Sequence, residues 1–168
     1  MQKKIKYLII LIIAIVLQIV STSNTYALPT SNLETNTIQL EEINIDQPIP
    51  KLKSTKQIST NQLLITYDME VDLTKGITPT NYWIQSVTDT KPVGIATLGK
   101  DDKVSSKNSL TSNNVTIAPK DSTNTSFIIT FNQPIGSSSK YNLIICYITA
   151  PNGEAYTGDN GSAIFVGK

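Results

Sequence analysis

Between Leu63 and Leu73 the chain alternates, with Leu63, Ile65, Tyr67, Met69, Val71 and Leu73 on one row and Leu64, Thr66, Asp68, Glu70 and Asp72 on the other. Successive side chains of an extended strand point to opposite faces, so a period of two marks a half-buried strand. Its second half is expected to bend, because the polar residues there are all acidic and Thr74-Lys75-Gly76 follows as a turn signal. Short β-prone runs then recur at Tyr82 to Val87, Val93 to Leu98, Val115 to Ala118, Ser126 to Phe131, Tyr141 to Thr149 and Ala163 to Val166, each bounded by Gly, Pro, Asn, Asp or Ser. No comparable stretch carries a helical stripe. Short strands at near-regular spacing, split by turns, predict an all-β sandwich or barrel. Lys100 to Asn114, where polar residues surround a lone Leu110, reads as the least ordered interior stretch.

The N-terminus carries a different signal. Lys3, Lys4 and Lys6 precede an apolar run from Tyr7 to Val20, broken only by Gln18. That run is shorter than the ~20 residues a membrane-spanning helix needs. It leads through small and polar residues to Thr25-Tyr26-Ala27, which reads as a signal peptide over residues 1–27, cleaved after Ala27. An uncleaved anchor is the other reading, and both place the remainder outside the cytoplasm. Residues 28–49, rich in Ser, Thr, Asn and Glu with Pro29 and Pro48, read as a flexible linker. Within them Thr37 to Ile45 fits either a strand or a short helix.

Composition removes several function classes. Without the three N-terminal lysines, eleven cationic residues face thirteen acidic ones, and all of the cations are scattered lysines. Nucleic-acid binding needs clustered cations to displace counterions from phosphate, so that partner is excluded. Histidine is absent, which removes Ser-His-Asp and Cys-His nucleophilic systems and His-based zinc sites. Cys146 is the one cysteine; no internal disulfide can form, and its place among Ile144, Ile145, Tyr147 and Ile148 reads as a small core hydrophobe. One domain of about 141 residues must therefore be held by core burial alone.

The order of motifs resembles the Ig-like modules of bacterial surface-layer-type proteins. Leu64 to Asp72 (Leu-Ile-Thr-Tyr-Asp-Met-Glu-Val-Asp) is similar to their opening strand with its "x-Val-Asp" bend, and Asn81-Tyr82-Trp83-Ile84 to their "Asn-Tyr-x-Ile" strand. Ser138 to Ile148 resembles the penultimate strand, starting at Tyr141 after a small-residue turn, and Ala150 to Ala155 the turn before the last strand. The resemblance covers residues 50 to 166 and implies a single immunoglobulin-like β-sandwich over residues 50–168, non-enzymatic, at the cell surface or in the medium. Such modules usually occur in tandem, whereas one is found here.

No catalytic, cofactor-binding or metal-binding residue is assigned. Gly94 to Asp101 nearly matches a phosphate-binding loop, but Asp101 stands where Ser or Thr would hold magnesium and no helix pattern follows. Ser137-Ser-Ser-Lys140 has the spacing of serine acyl enzymes, yet Gly136 before it and a strand after it favour a turn. Asp68, Glu70 and Asp72 would share a face on an extended strand and could offer oxygen ligands to calcium, though an ordinary solvated face is the simpler reading. Asp159-Asn160-Gly161 reads as a hairpin turn.

Tyr82 and Trp83 should face opposite sides of one strand; an outward Trp83, with Tyr141, Tyr147 and Tyr156, would form an aromatic platform for sugars. Paired carboxylates for glycoside hydrolysis meet in space and not in sequence, so the sequence neither assigns nor removes them. The partner expected is a protein or glycan at the cell surface, met through an exposed sheet edge or end loops, with no membrane contact after signal cleavage and with the oligomeric state open.

Overall fold

The fold was taken from a computed structural model, which describes residues 47–168. The signal peptide (1–27), nearly all of the linker (28–49) and the Thr37–Ile45 segment lie outside the described residues. Among the described residues seven strands follow one another: β1 (Leu52–Ser59), β2 (Gln62–Tyr67), β3 (Tyr82–Ser86), β4 (Val115–Pro119), β5 (Ser126–Phe131), β6 (Lys140–Cys146) and β7 (Asp159–Val166). One short helix, α1 (Leu73–Ile77), and a 3-10 turn (Pro79–Asn81) precede β3. The strands form two antiparallel sheets, one ordered β1-β2-β5-β4 and the other β3-β6-β7. The protein is an all-β sandwich.

The alternation read from the sequence is what joins the sheets. In β2, Leu63, Ile65 and Tyr67 are buried; Leu63 pairs across to Ile129 and Ile65 to Phe127, so β2 and β5 present one continuous apolar face. Tyr82 and Ile84 of β3 and Tyr141, Leu143 and Ile145 of β6 complete the core. Each such side chain stabilises the fold by about 1.5–3 kcal/mol relative to exposure.

The expected bend after Tyr67 is present: β2 stops there, and Asp72 caps α1, its carboxylate accepting from Lys75 N–H at 2.9 Å. Two buried phenols pin this helix to the core. Tyr82 Oη lies 2.6 Å from the Gly76 carbonyl and 3.0 Å from Tyr67 Oη. A carbonyl only accepts, so Tyr82 donates to Gly76 and must accept from Tyr67. Burial is the main cause that raises both phenol pKa values above the ordinary tyrosine range. Gly76 has no room for a side chain, since a Cβ there would stand 2.5 Å from the Phe127 ring.

Four local expectations are corrected. First, β1 has no counterpart in the predicted strands; it is an edge strand with Lys53 and Lys56 outward, so it carries no clean alternation. Second, Val93 to Leu98 is not a strand. The chain turns through Gly94 (φ 59°), a turn closed by Ala96 N–H on the Val93 carbonyl, leaving one parallel bridge between Gln85 and Leu98. Third, β6 ends at Cys146, because Tyr147 adopts φ 69° and the register to β7 shifts there. Cys146 is consequently half-buried at a strand end and not a core residue. Burial, then the nearby Asp159 charge, raises its thiol pKa, which disfavours the reactive thiolate.

Fourth, Asp159-Asn160-Gly161 opens β7 and is no hairpin turn. Asn160 is fully buried, accepting from Ile148 N–H at 2.8 Å and donating to the carbonyls of Ile148 (2.8 Å) and Pro50 (2.9 Å). It ties the start of β7 to the segment after β6 and to the entry of β1. By contrast, the turns expected at Ser137–Lys140 and Ala150–Ala155 are present, with Ser138 at φ 63° and Asn152 at φ 59°.

Candidate interaction surface

The outer face of the three-stranded sheet carries exposed apolar residues, Tyr147, Ile164 and Val166, and its two halves are treated differently. The β3 half is covered. Tyr82 and Trp83 face opposite sides, as expected, but neither is exposed: Trp83 has a relative exposure of 0%. The segment from Lys100 to Leu110 folds over it. Trp83 Nε1 donates to the Ser105 carbonyl at 2.9 Å and to Asn108 Oδ1 at 3.1 Å. Asn108 organises the cover, accepting also from Ser105 N–H at 2.9 Å and donating to the Lys103 carbonyl at 3.0 Å. Gln85 Nε2 reaches the carbonyls of Gly99, Lys100 and Asp102. Leu110 is buried, its N–H bonded to the Tyr82 carbonyl. The stretch expected to be least ordered is thus a cover held by side-chain hydrogen bonds, and the outward-Trp83 sugar platform does not exist. Tyr147 packs edge-on against Trp83 (6.0 Å, 75°) and Tyr141 belongs to the core.

The β7 half is open. Across the sheet, Ile144 lies opposite Ser162, Asn142 opposite Ile164, and Lys140 opposite Val166. Ile164 is 58% exposed, Val166 49% and Tyr147 40%, and Ile144 is half-buried between them. From Asn160 to Gly167 no residue carries a charge. Ser162, Ile164 and Val166 therefore form an outward strip on β7, next to Ile144 and unshielded by the cover that protects Trp83.

The sheet edges are less accessible than this face. Along β7, Leu52 of β1 sits against Gly161 and the Gln57 carboxamide accepts from Lys168 N–H, so β1 runs beside β7 in the same direction. The outer edge of β3 is engaged by Leu98, through Leu98 N–H to the Ile84 carbonyl and Ser86 N–H to the Leu98 carbonyl. β4 is five residues long and ends in Pro119, which has no N–H to donate. β1 bears two outward lysines and two register irregularities. Lysines, irregular register, proline and covering segments all oppose strand addition.

The other constellations resolve into structure. Asp68, Glu70 and Asp72 lie beyond the end of β2 and serve three separate contacts, accepting respectively from Lys51 N–H, Asn124 Nδ2 and Lys75 N–H. The shared strand face on which the calcium reading depended is absent, and among the described residues no group of three His, Cys, Asp or Glu side chains is placed to hold a metal ion. In the phosphate-loop lookalike, Gly99 N–H donates to the Asp102 carboxylate at 2.8 Å, so an internal anion already takes that amide.

No protein-family model matches the chain, and no curated protein does so either. Among solved structures, the two-sheet fold is similar to part of the S-layer protein rSbsC(31-844), with 14% identity and a TM-score of 0.50 over 71% of this chain. A structure of surface layer protein SbsC, domains 1-6, gives 15% identity and 0.49 over 72%. The chain spans 14% of either of those chains. At this identity the likeness is one of fold: an S-layer-like β-sandwich.

Proposed function

We propose that this chain is an exported, non-enzymatic Ig-like module that acts as a structural part of an assembly at the bacterial cell surface. In this reading residues 1–27 are a cleaved signal peptide, 28–49 a linker and 50–168 the module. The Ig-like assignment is supported by the strand order, β1-β2-β5-β4 on one sheet and β3-β6-β7 on the other, which is the ABED and CFG arrangement of constant-type immunoglobulin sandwiches. A surface role is supported by the apolar signal-like run and by the resemblance of the sandwich to one portion of a multidomain S-layer protein.

The observation that carries the structural reading is the asymmetry of the β3-β6-β7 face. The chain spends a long segment on covering Trp83 and leaves Ile164 and Val166 bare on the same sheet. Another folded surface-layer module packing on the open half would bury that strip. Because the edges are blunted, face packing is favoured over strand addition. The test is retention of the purified chain on envelopes of the producing cells, comparing wild type with Ile164→Lys/Val166→Lys. Retention should fall at least about tenfold in the variant if the strip contributes more than about 1.4 kcal/mol. Equal retention of a variant whose Trp83 emission is unchanged would refute the assignment of this face.

A further inference from the structure

At one end of the sandwich the β3–β4 crossover, the turn before β4 and the exit of β5 line a cleft of about 320 Å³. Its polar lining is made of carboxamides, Asn113, Asn114, Asn132 and Gln133, with Thr97; none of the lining residues is charged, and Ile95 and Phe131 lie at its base. Three of the carboxamides are held by one half only. Asn132 Nδ2 donates to the Asn113 carbonyl and Gln133 Nε2 to the Gly94 carbonyl. Asn114 Oδ1 accepts from Thr111 N–H at 3.0 Å and Thr111 Oγ1 at 2.7 Å. Among the hydrogen bonds of the described residues, none engages Asn132 Oδ1, Gln133 Oε1 or Asn114 Nδ2. All four carboxamide residues are exposed at the mouth of the cleft, and in Asn114, Asn132 and Gln133 the half bonded to the backbone leaves two acceptors and one donor open to solvent.

We infer that this cleft binds a neutral sugar unit of a glycan. A ring hydroxyl both donates and accepts, which matches a wall mixing free carboxamide oxygens with a free carboxamide N–H. An ionic ligand would lose hydration without meeting an opposite charge. The volume lies at the lower end of the range for small-molecule sites, about 300–1,000 Å³, enough for one or two sugar rings. Anchoring one half of each carboxamide reduces the side-chain ordering that binding costs. The inference is independent of the face-packing reading, since none of the cleft residues belongs to the β3-β6-β7 face.

The test is a titration of the ¹⁵N-labelled chain, following the Asn and Gln side-chain amide signals. The probes are N-acetylglucosamine tetramer and maltotetraose as neutral glycans, oligogalacturonate as an anionic glycan, and tetraglycine as a neutral peptide. At least one neutral glycan should give saturable shifts at Asn114, Asn132 and Gln133 with a dissociation constant on the order of 1 mM. Asn132→Ala and Gln133→Ala should each weaken it several-fold while Trp83 emission stays unchanged. The inference is overturned if neither neutral glycan produces saturable shifts, if oligogalacturonate or tetraglycine binds equally well, or if both variants bind like wild type.

Discussion

The Tyr67–Tyr82–Gly76 chain makes an asymmetric prediction about two substitutions that look alike on paper. Tyr82 donates to the Gly76 carbonyl and accepts from Tyr67, so Tyr67→Phe removes one donor and strands no other group. That loss should cost about 1 kcal/mol. Tyr82→Phe removes both hydrogen bonds and leaves two buried partners, the Tyr67 hydroxyl and the Gly76 carbonyl, each without a mate. At about 1–3 kcal/mol for each stranded group, the cost should reach about 2–6 kcal/mol. The double variant strands only the carbonyl, so it should be less damaging than the sum of the two single changes. Urea denaturation of wild type, both single variants and the double variant gives the complete cycle. Equal costs for the two single changes, or strict additivity, would refute the assigned direction of the chain.

The same pair sets an alkaline limit. Both folded phenols titrate above the unfolded value of about 10. Their neutral forms are therefore favoured in the folded state, and the stability they contribute is complete below about pH 10 and lost as pH rises toward the folded pKa values. Wild-type stability should fall steeply above about pH 10, and more gently in Tyr67→Phe/Tyr82→Phe; identical slopes would contradict the linkage.

Other substitutions probe other parts of the framework. Gly76→Ala drives a Cβ into the Phe127 ring and should cost about 1–3 kcal/mol in a thermal or urea melt. Asn160→Ala strips three buried hydrogen bonds at the entry of β1 and β7 and should cost about 2–4 kcal/mol, against less than about 0.5 kcal/mol for an ordinary surface change. Asn108→Ala should loosen the cover over Trp83, the only tryptophan, with a red-shifted emission and greater acrylamide quenching at a cost of about 1–2 kcal/mol. Unchanged quenching would show that the cover does not depend on Asn108.

Legibility in the sequence followed from where each residue's reason for its position lies. β2, β5 and β4 were readable because each alternates against a single core, and α1 was foreshadowed by the acidic bend ending in a helix cap. β1 was not readable: an edge strand needs little burial, and its lysines hide it among linker residues. The cover over Trp83 and the burial of Asn160 escaped the sequence for a common reason. Their environments come from segments distant in sequence, Ser105 and Asn108 over the indole, Ile148 and Pro50 around the carboxamide, and no local period reports such contacts. The cleft was invisible for the same cause, since its carboxamides come from separate loops. The apolar strip was partly visible in Ala163 to Val166, but its exposure depends on the Lys100–Leu110 cover stopping at the β3 half of the sheet.

Surface assembly of an exported sandwich is tested by fractionating producing cells and measuring the intact mass of the recovered chain. The expected species begins at Leu28, is recovered with the cell envelope and is released by agents that disrupt protein contacts. Recovery of the uncleaved chain inside the cell or in the membrane fraction would contradict this reading, and recovery wholly in the medium would contradict retention by an assembly.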